Sequence, residues 1–273
     1  MNLLKTTSAI ILSLALSLTS LSAKESKIKR ITGAEDKNYS MSITAMLYID
    51  KPLTNGSTVS ENITKFQKFD IADEFSNDFY AGYIQFEHNY YLLPFLKADM
   101  SSYSFEKVSK FNEMVSASTY SMIDYYSFIS TEEQNFMAYW ELLEGNDMQL
   151  NVGGQYKIIK GHLISENLST YKSGTYGEIT FEKYLPMVYL RGDLQLAYGV
   201  ELSNEWSVGI DKEETFLETN FYVNYYTKIG LIGMIGYKYK HQEFLITDED
   251  TINDTVKFTN NTHSLIVGLG YKW

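Results

Sequence analysis

The sequence predicts an all-β protein, a transmembrane antiparallel up-and-down β-barrel of about ten strands, with eight or twelve strands as the alternatives. Short stretches in which apolar and polar residues alternate recur along the chain. After the N-terminal leader, no stretch approaches the roughly 18 consecutive apolar residues of a membrane helix. The final residues form a clean amphipathic strand, which makes the barrel the preferred architecture.

This final stretch ends on aromatic residues. Alternate side chains of a strand share a face. One face of this stretch carries Leu265, Val267, Leu269, Tyr271 and Trp273. Chain ends of soluble proteins are usually frayed and polar. The stretch therefore resembles the closing strand of a bacterial outer-membrane barrel, and its terminal aromatic resembles the signal that the barrel-insertion machinery reads.

The composition suits long strands and argues against several classes of protein. Hydrophobic residues make up 44% of the 273 residues, aromatic residues 15%, and only 3 are Pro, so long backbone ladders are possible. The absence of Cys excludes disulfides and thiolate metal sites. A net charge of −11 argues against nucleic acid as a partner. The acidic excess has two interpretations, solvation of surface loops or divalent-cation contact with lipopolysaccharide.

Three segments are predicted along the chain. Residues 1–23 are typical of a cleaved secretory signal, with a positive charge at Lys5 and an apolar run from Ala9 to Leu18. The charged residues 24–38 are predicted to form a periplasmic lead-in, and residues 39–273 to form the barrel. We therefore expect export to the outer membrane.

Ten strands are predicted from the alternation, each with one apolar face. They cover residues 39–50, 79–88, 96–101, 134–143, 148–160, 185–197, 206–210, 217–225, 229–244 and 263–273. Charged or irregular stretches between them predict four long loops, at residues 51–78, 107–133, 161–184 and 245–261. The other connections are short, and the short gap after strand seven breaks an otherwise regular alternation of long and short. A small hairpin is expected within the loop at 107–133.

Alternation alone would also fit a soluble sandwich. The alternation of loop lengths, the even strand count and the aromatic residues near the ends of the apolar band favour a membrane barrel. Unpaired backbone groups cost several kcal/mol in hydrocarbon, so strand ten is predicted to pair with strand one.

The inward face of the predicted barrel is charged. Its members are Glu87, Lys97, Asp99, Glu141, Lys157, Arg191, Asp193, Lys238 and Lys240. They could line a selective polar passage or form a salt-bridged plug. Barrels of about eight strands are filled by their own side chains, whereas water-filled porins need about 16–18 strands. Ten strands lie near the filled end, so a structural network is preferred.

Several short elements resemble an uncharacterised family of proteobacterial outer-membrane β-barrel proteins. They are Phe86-Glu87-His88 with Leu92-Leu93-Pro94, Tyr139-Trp140-Glu141-Leu142-Leu143, Leu150-Asn151-Val152-Gly153, Leu185-Pro186-Met187-Val188-Tyr189 and Gly236-Tyr237-Lys238-Tyr239. The resemblance covers most of residues 79–273 in the same order. Asn89-Tyr90-Tyr91 departs from the family's proline-containing turn. The family implies a signal peptide, a barrel and outer-membrane residence, and it implies no activity.

The sequence offers no recognisable catalytic, metal or cofactor motif. The four His residues, His88, His162, His241 and His263, lie outside any nucleophile, zinc-helix or phosphate-loop pattern. Three functions remain open: a structural or narrow-passage barrel for small solutes, a surface-binding protein acting through its outer loops, and an outer-membrane hydrolase. We prefer the first and expect no enzyme.

Overall fold

The computed structural model describes residues 39–52, 78–88, 92–116, 119–145, 147–168, 176–211, 214–247 and 255–273. The secretory signal and lead-in predicted at residues 1–38 lie outside them, as does most of the predicted first loop. The described strands are β1 (Tyr39–Pro52), β2 (Asp78–His88), β3 (Phe95–Ser116), β4 (Thr119–Glu144), β5 (Met148–Asn167), β6 (Tyr176–Gln195), β7 (Val200–Asp211), β8 (Glu214–Tyr226), β9 (Leu231–Thr247) and β10 (Thr255–Lys272).

The ten strands form one closed barrel in which every neighbouring pair is antiparallel. Closure is made by β1 and β10, which pair from Ser42 opposite Lys272 to Pro52 opposite Thr262. Backbone hydrogen bonds between Met41 and Trp273, of 3.2 and 3.0 Å, continue this ladder to the last residue. The predicted fold class, strand count and closing pair are confirmed.

The two ends of the barrel differ. The end that holds Tyr39 and Trp273 is called here the terminal end, and the opposite end the far end. At the terminal end the connections are tight, for example a single 3₁₀ turn at Ala197–Gly199 between β6 and β7. Both chain ends of the barrel emerge together because the number of strands is even.

Three of the predicted long loops are wrong in extent. β3 and β4 continue as a hairpin to Ser116 and Thr119, where the sequence predicts a loop at 107–133. β5 reaches Asn167 and β6 begins at Tyr176, which replaces most of the loop at 161–184. β10 begins at Thr255, within the predicted loop at 245–261. The expected alternation of long and short connections therefore does not hold.

These loops are shorter than predicted because the polarity of the two faces changes along the strands. Toward the far end the outward positions become polar and the inward ones apolar, so the pattern for a lipid-facing strand disappears while the backbone ladder continues. The inward side chains there form a buried cluster, called here the apolar cap: Tyr103, Phe105, Ile129, Ile159, Leu163, Ile179, Leu185, Met187, Phe216, Phe244, Ile246 and Phe258. The far part of the barrel is thus built like a soluble β-barrel, with its core inside.

Toward the far end, the barrel wall extends less far at β7 and β8 than at the neighbouring strands β6 and β9. β6 pairs with β7 only from Val188 onward, yet β6 extends toward the far end to Tyr176 with β5 as its partner. On the other side, β8 pairs with β9 only as far as Glu243. Among the described residues, no strand lies between the far parts of β6 and β9 above the β7–β8 hairpin, and this gap is called here the notch.

Candidate functional site in the barrel interior

The nine charged residues predicted to face the lumen all lie on the inward-facing register of their strands. Six of them are buried, and Glu87, Asp99 and Glu141 are half-buried with interior hydrogen-bond partners. Alternation positions them, because their neighbours on each strand face outward. The residues occupy three levels along the barrel axis.

The level nearest the apolar cap is centred on Lys157, which is fully buried. Its ammonium lies 2.9 Å from the carboxylate of Glu133 and contacts that of Glu218. Lys240 lies 2.7 Å from the other oxygen of Glu133, and Lys238 lies 3.9 Å from Glu218. Carboxylates and ammonium groups thus pair with one another where no bulk water reaches them, as buried charges require.

The middle level joins opposite sides of the barrel. Lys97 of β3 lies 2.6 Å from Glu205 of β7, and both side chains are almost fully buried. The Lys97 ammonium also lies 4.8 Å from the ring centroid of Tyr83, a cation–π contact. Asp99 accepts a 2.6 Å hydrogen bond from the Asn135 amide. This level therefore spans the lumen rather than lining it.

At the terminal end the charges surround a small vestibule. Arg191 Nε lies 2.9 Å from Asp193, and its guanidinium donates to the Tyr139 hydroxyl at 3.3 Å. Lys272 lies 3.2 Å from Glu87, and the Gln149 amide donates to Glu141 at 2.7 Å. The vestibule has a volume of about 80 Å³ and is lined by Arg191, Asp193, Glu87 and Lys272 among others.

Three carboxylates that complete this network are absent from the predicted lumen set. Alternation places Glu218 on the inner face of its strand, and Glu205 alternates with the outward Trp206. Glu133 lies in the stretch predicted as a loop, where no face can be assigned. The signal for the first two is therefore present in the sequence, whereas the third requires knowledge that β4 begins at Thr119.

The levels leave little open volume between them. The cavity at the middle level, lined by Lys97, Glu205 and Tyr189 among others, measures about 10 Å³. A cavity needs roughly 10–15 Å³ to hold one water molecule. Beyond Lys157, the apolar cap fills the interior with aromatic and aliphatic side chains. In the described part of the barrel, the interior is a filled core rather than a pore.

The four His residues do not form one cluster, although His241 and His263 lie on the neighbouring strands β9 and β10. The His88 ring lies 3.1 Å from the Pro94 carbonyl at the terminal end, and His162 lies 2.8 Å from Glu178 on the outer face. His241 contacts Asn261, and His263 contacts the Tyr237 hydroxyl. Among the described residues, no group of three or more His, Cys, Asp or Glu is arranged to hold a metal ion.

The outer surface carries a broad apolar band. Large exposed side chains occur on every side of the barrel, including Leu47, Ile84, Leu96, Phe136, Val188, Val223, Ile235 and Leu269. The five residues of the closing strand lie within it, and Leu269 is 74% exposed. On β6 the band runs from Tyr184 to Leu194, which at about 3.3 Å per residue and a tilt of about 40° gives a height of about 25 Å.

Aromatic residues border this band at both edges. Trp140, Tyr225, Tyr271 and Trp273 mark the terminal-end edge, and Tyr156, Tyr184 and Tyr237 the far-end edge. An apolar band of this height between two aromatic girdles matches a bilayer. The fold is that of a transmembrane β-barrel. In the residues that the structure describes, no helix is both long and apolar enough to cross a membrane.

No family model matches the chain, and the search of curated proteins found no match. Among solved structures, the chain is similar to the outer membrane protease OmpT from Escherichia coli, with 11% identity, a TM-score of 0.48 and coverage of 89% of this chain and 100% of that one. It is also similar to the translocator domain of the autotransporter NalP from Neisseria meningitidis, with 11% identity, a TM-score of 0.42 and coverage of 98% and 97%.

A third similar structure is Ail, the attachment invasion locus protein of Yersinia pestis, with 7% identity, a TM-score of 0.29 and coverage of 86% and 97%. All three TM-scores lie below 0.5. The assignment of the fold therefore rests on the strand pairing and the exterior of this chain itself.

Proposed function

We propose that this chain is an integral outer-membrane protein whose barrel is filled by its own side chains, with a role that is structural or limited to a narrow passage for small solutes. The observation that carries this is the buried level around Lys157, covered by the apolar cap on one side and by the Lys97–Glu205 bridge on the other. An ion crossing the barrel would have to displace paired charges from a desolvated site, which costs several kcal/mol.

Purified protein inserted into planar lipid bilayers tests this proposal. We expect currents that are small or absent at moderate voltage, since the interior cavity at the middle level holds about one water molecule. Large, stable, porin-like currents from a homogeneous sample would contradict the filled barrel. A large-barrel porin reconstituted in the same bilayers serves as the positive control.

The proposal includes contacts with outer-membrane lipid and lipopolysaccharide, and recognition of the closing strand by the barrel-insertion machinery. The exposed apolar face of β10 supports both, because it is continuous with the lipid-facing band. It includes no catalytic activity and no cofactor, as expected from the sequence, and this part stays a prediction. The resemblance to the uncharacterised barrel family stays a prediction.

A second candidate function is binding at the far end. The β3–β4 hairpin, which runs to Ser116 and Thr119, carries the barrel well beyond the apolar band. Its base is anchored by Phe105 and Ile129, which pack in the apolar cap. A projection anchored in this way would hold a binding surface away from the membrane.

Shortening the hairpin tests the second candidate. Lys110 and Asp124 lie opposite each other, so residues 111–123 can be replaced by Asn-Gly, the preferred two-residue hairpin turn. If the far end binds host matrix or phage, the shortened protein loses that binding while its barrel folds as before. Unchanged binding would exclude the hairpin as the binding surface.

A further inference from the structure

The vestibule at the terminal end differs from the filled interior by its volume. It measures about 80 Å³, against about 10 Å³ for the cavity at the middle level. One water molecule needs roughly 10–15 Å³, so the vestibule has room for roughly five to eight groups of that size. Its lining includes the exposed residues Gln195 and Leu196 at the start of the β6–β7 turn. A small polar molecule can therefore enter the vestibule from the terminal end.

One wall of the vestibule offers a hydrogen-bond donor that the protein itself does not use. Arg191 is only 6% exposed. Its Nε donates to Asp193 at 2.9 Å, and its Nη1 donates to the Tyr139 hydroxyl at 3.3 Å. The second terminal nitrogen, Nη2, has no partner among the residues that the structure describes. Buried polar groups are normally hydrogen-bonded, and a guanidinium group binds carboxylates particularly well, so Nη2 suits a ligand with a carboxylate.

The charged side chains that line the vestibule do not balance. They are Arg191 and Lys272 against Glu87, Asp193 and Glu201. Lys272 lies 3.2 Å from Glu87. Arg191 is paired with Asp193. In the described part of the chain, Glu201 has no cation within ion-pair distance, and the unbalanced negative charge favours a ligand that also carries a positive group.

Glu201 is held in place by neutral donors. Its Oε1 accepts hydrogen bonds from Ser203 Oγ at 3.1 Å, from the Asn224 amide at 3.3 Å and from the Tyr226 hydroxyl at 3.0 Å. None of these three bonds uses the other oxygen, Oε2. The carboxylate is thus fixed by its surroundings, and one of its oxygens is left to accept a proton from an ammonium group.

The unused donor and the unpaired carboxylate are separated by about the span of one small molecule. Asp193 Oδ1 lies 2.9 Å from Arg191 Nε and 2.6 Å from Ser203 Oγ. The same Ser203 Oγ lies 3.1 Å from Glu201 Oε1, so Arg191 Nε and Glu201 Oε1 are at most about 9 Å apart. A zwitterion with one carbon between its ammonium and its carboxylate needs about this span, because a hydrogen bond of about 3 Å is added at each end.

We propose that the vestibule binds a small zwitterionic amino acid, with its carboxylate on Arg191 and its ammonium on Glu201. The volume restricts the ligand to amino acids with side chains about as small as those of glycine, alanine and serine. Binding at one end of a filled barrel goes beyond the proposed function. It can be measured in detergent without reference to conductance, so the two proposals can fail separately.

Simpler ligands use only one of the two groups. An amine without a carboxylate leaves Arg191 Nη2 without a partner. An anion without an ammonium adds to the excess of negative charge beside Glu201. We therefore expect the zwitterion to bind more tightly than either of its halves.

Calorimetric titration of the purified protein, folded in detergent, tests the ligand class. The probes are alanine, ethylamine and acetate, with phenylalanine as the control for size. We expect the Kd for alanine to be at least about tenfold lower than for ethylamine or acetate, because only alanine makes both charge-assisted contacts. Absence of alanine binding overturns the proposal, and so does acetate or phenylalanine binding as tight as that of alanine.

Glu201→Gln tests the ammonium contact. We expect alanine to bind at least about tenfold more weakly to this variant, and acetate to bind as well as before or better, because the variant loses a negative charge and keeps the shape. Glu144→Gln is the control, since it removes an exposed carboxylate at the same end of the barrel that does not line the vestibule. Equal affinities of the two variants for alanine would exclude Glu201 as the ammonium site.

Arg191→Gln combined with Asp193→Asn tests the carboxylate contact. Both partners of a buried pair are changed together, so that no uncompensated charge remains. We expect a loss of alanine affinity of at least about tenfold with ethylamine binding retained, and unchanged alanine binding would contradict the proposal. Heat-modifiable migration shows whether this protein folds, and if it does not, the comparison of Glu201→Gln with Glu144→Gln decides.

Discussion

At the scale of single residues, Lys157 is the central cation of the buried ion-pair network. Its ammonium is the shared partner of Glu133 and Glu218, and no part of the residue is exposed. An ion pair in such a place adds little net stability against an apolar substitute, but removal of one partner leaves an uncompensated charge. Substitution of Lys157 by an uncharged residue should therefore lower the stability of the protein more than the same substitution of an exposed lysine.

Lys157→Met is expected to lower the free energy of unfolding by about 3–5 kcal/mol, because Glu218 and one oxygen of Glu133 lose their nearest cation in a desolvated site. Lys160→Met is the matched control on the same strand. Its partner Glu182 is exposed on the outer face, so a loss below about 1 kcal/mol is expected. Urea unfolding in lipid vesicles measures both. Equal losses would mean that the Lys157 level is accessible to water.

A turn at the terminal end depends on a glycine. Gly230 has a φ of 87° between β8 and β9. Its carbonyl accepts a 2.8 Å hydrogen bond from the Lys272 N–H of the closing strand. A Cβ at this position would press on the Lys272 backbone, so this glycine supports both the turn and the approach of β10.

Gly230→Ala is expected to destabilise the barrel by about 1–3 kcal/mol, through backbone strain and through displacement of the Lys272 carbonyl. Gly233→Ala, on β9 just after the turn, is the control, because a Cβ there meets nothing within 4 Å. The control is expected to be neutral or slightly stabilising. Unfolding midpoints in urea compare the two, and a harmless Gly230→Ala would contradict the contact with β10.

At the scale of elements, each long strand has two halves with opposite polarity. On β10 the outward residues near the terminal end are apolar, as at Val267, whereas the outward Thr259 near the far end is polar. Inward positions change in the opposite sense, from Ser264 to Phe258. The outer face of one strand thus contacts the bilayer over one half of its length and water over the other half.

Val267→Lys and Thr259→Lys test this division on one face of one strand. Val267 lies opposite Leu47 and Ile235 in the middle of the apolar band, where an outward Lys costs roughly 2–4 kcal/mol. Thr259 lies opposite Glu243, and its replacement is expected to change stability by less than about 0.5 kcal/mol. Urea unfolding in vesicles measures both, and similar losses at the two positions would place the membrane boundary elsewhere.

At the scale of the whole molecule, stability depends on closure. The last three residues pair with β1 at Met41, Ser42 and Ile43. Without them, backbone donors and acceptors of β1 would remain unpaired within the apolar band, at several kcal/mol each. The side chains of Tyr271 and Trp273 add interface contacts, and in the cell they would add the proposed insertion signal.

Two variants separate these contributions. Deletion of residues 271–273 is expected to prevent folding into pure lipid vesicles, because it breaks the ladder. Tyr271→Leu with Trp273→Leu keeps the ladder, so we expect it to fold in vesicles, as judged by heat-modifiable migration, but to accumulate poorly in cells. If the double substitution accumulates like the unmodified protein, the aromatic side chains are not an insertion signal.

The sequence by itself determined the barrel, the strand count and the faces of most strands, because a period of two and one lipid-facing side leave little freedom in the middle of each strand. The inward placement of Lys97, Arg191 and Lys238 followed from the same alternation. The length of the strands beyond the membrane did not follow, since there the apolar side turns inward and the lipid-facing pattern ends.

Only the tertiary structure decided which charges meet. Lys97 and Glu205 are 108 residues apart in the chain, and their contact depends on the curvature of the closed barrel, which brings β3 and β7 across the lumen. The notch likewise depends on how far four neighbouring strands extend relative to one another. Local alternation fixes the face of a residue, whereas its partner across the barrel is set by register and closure.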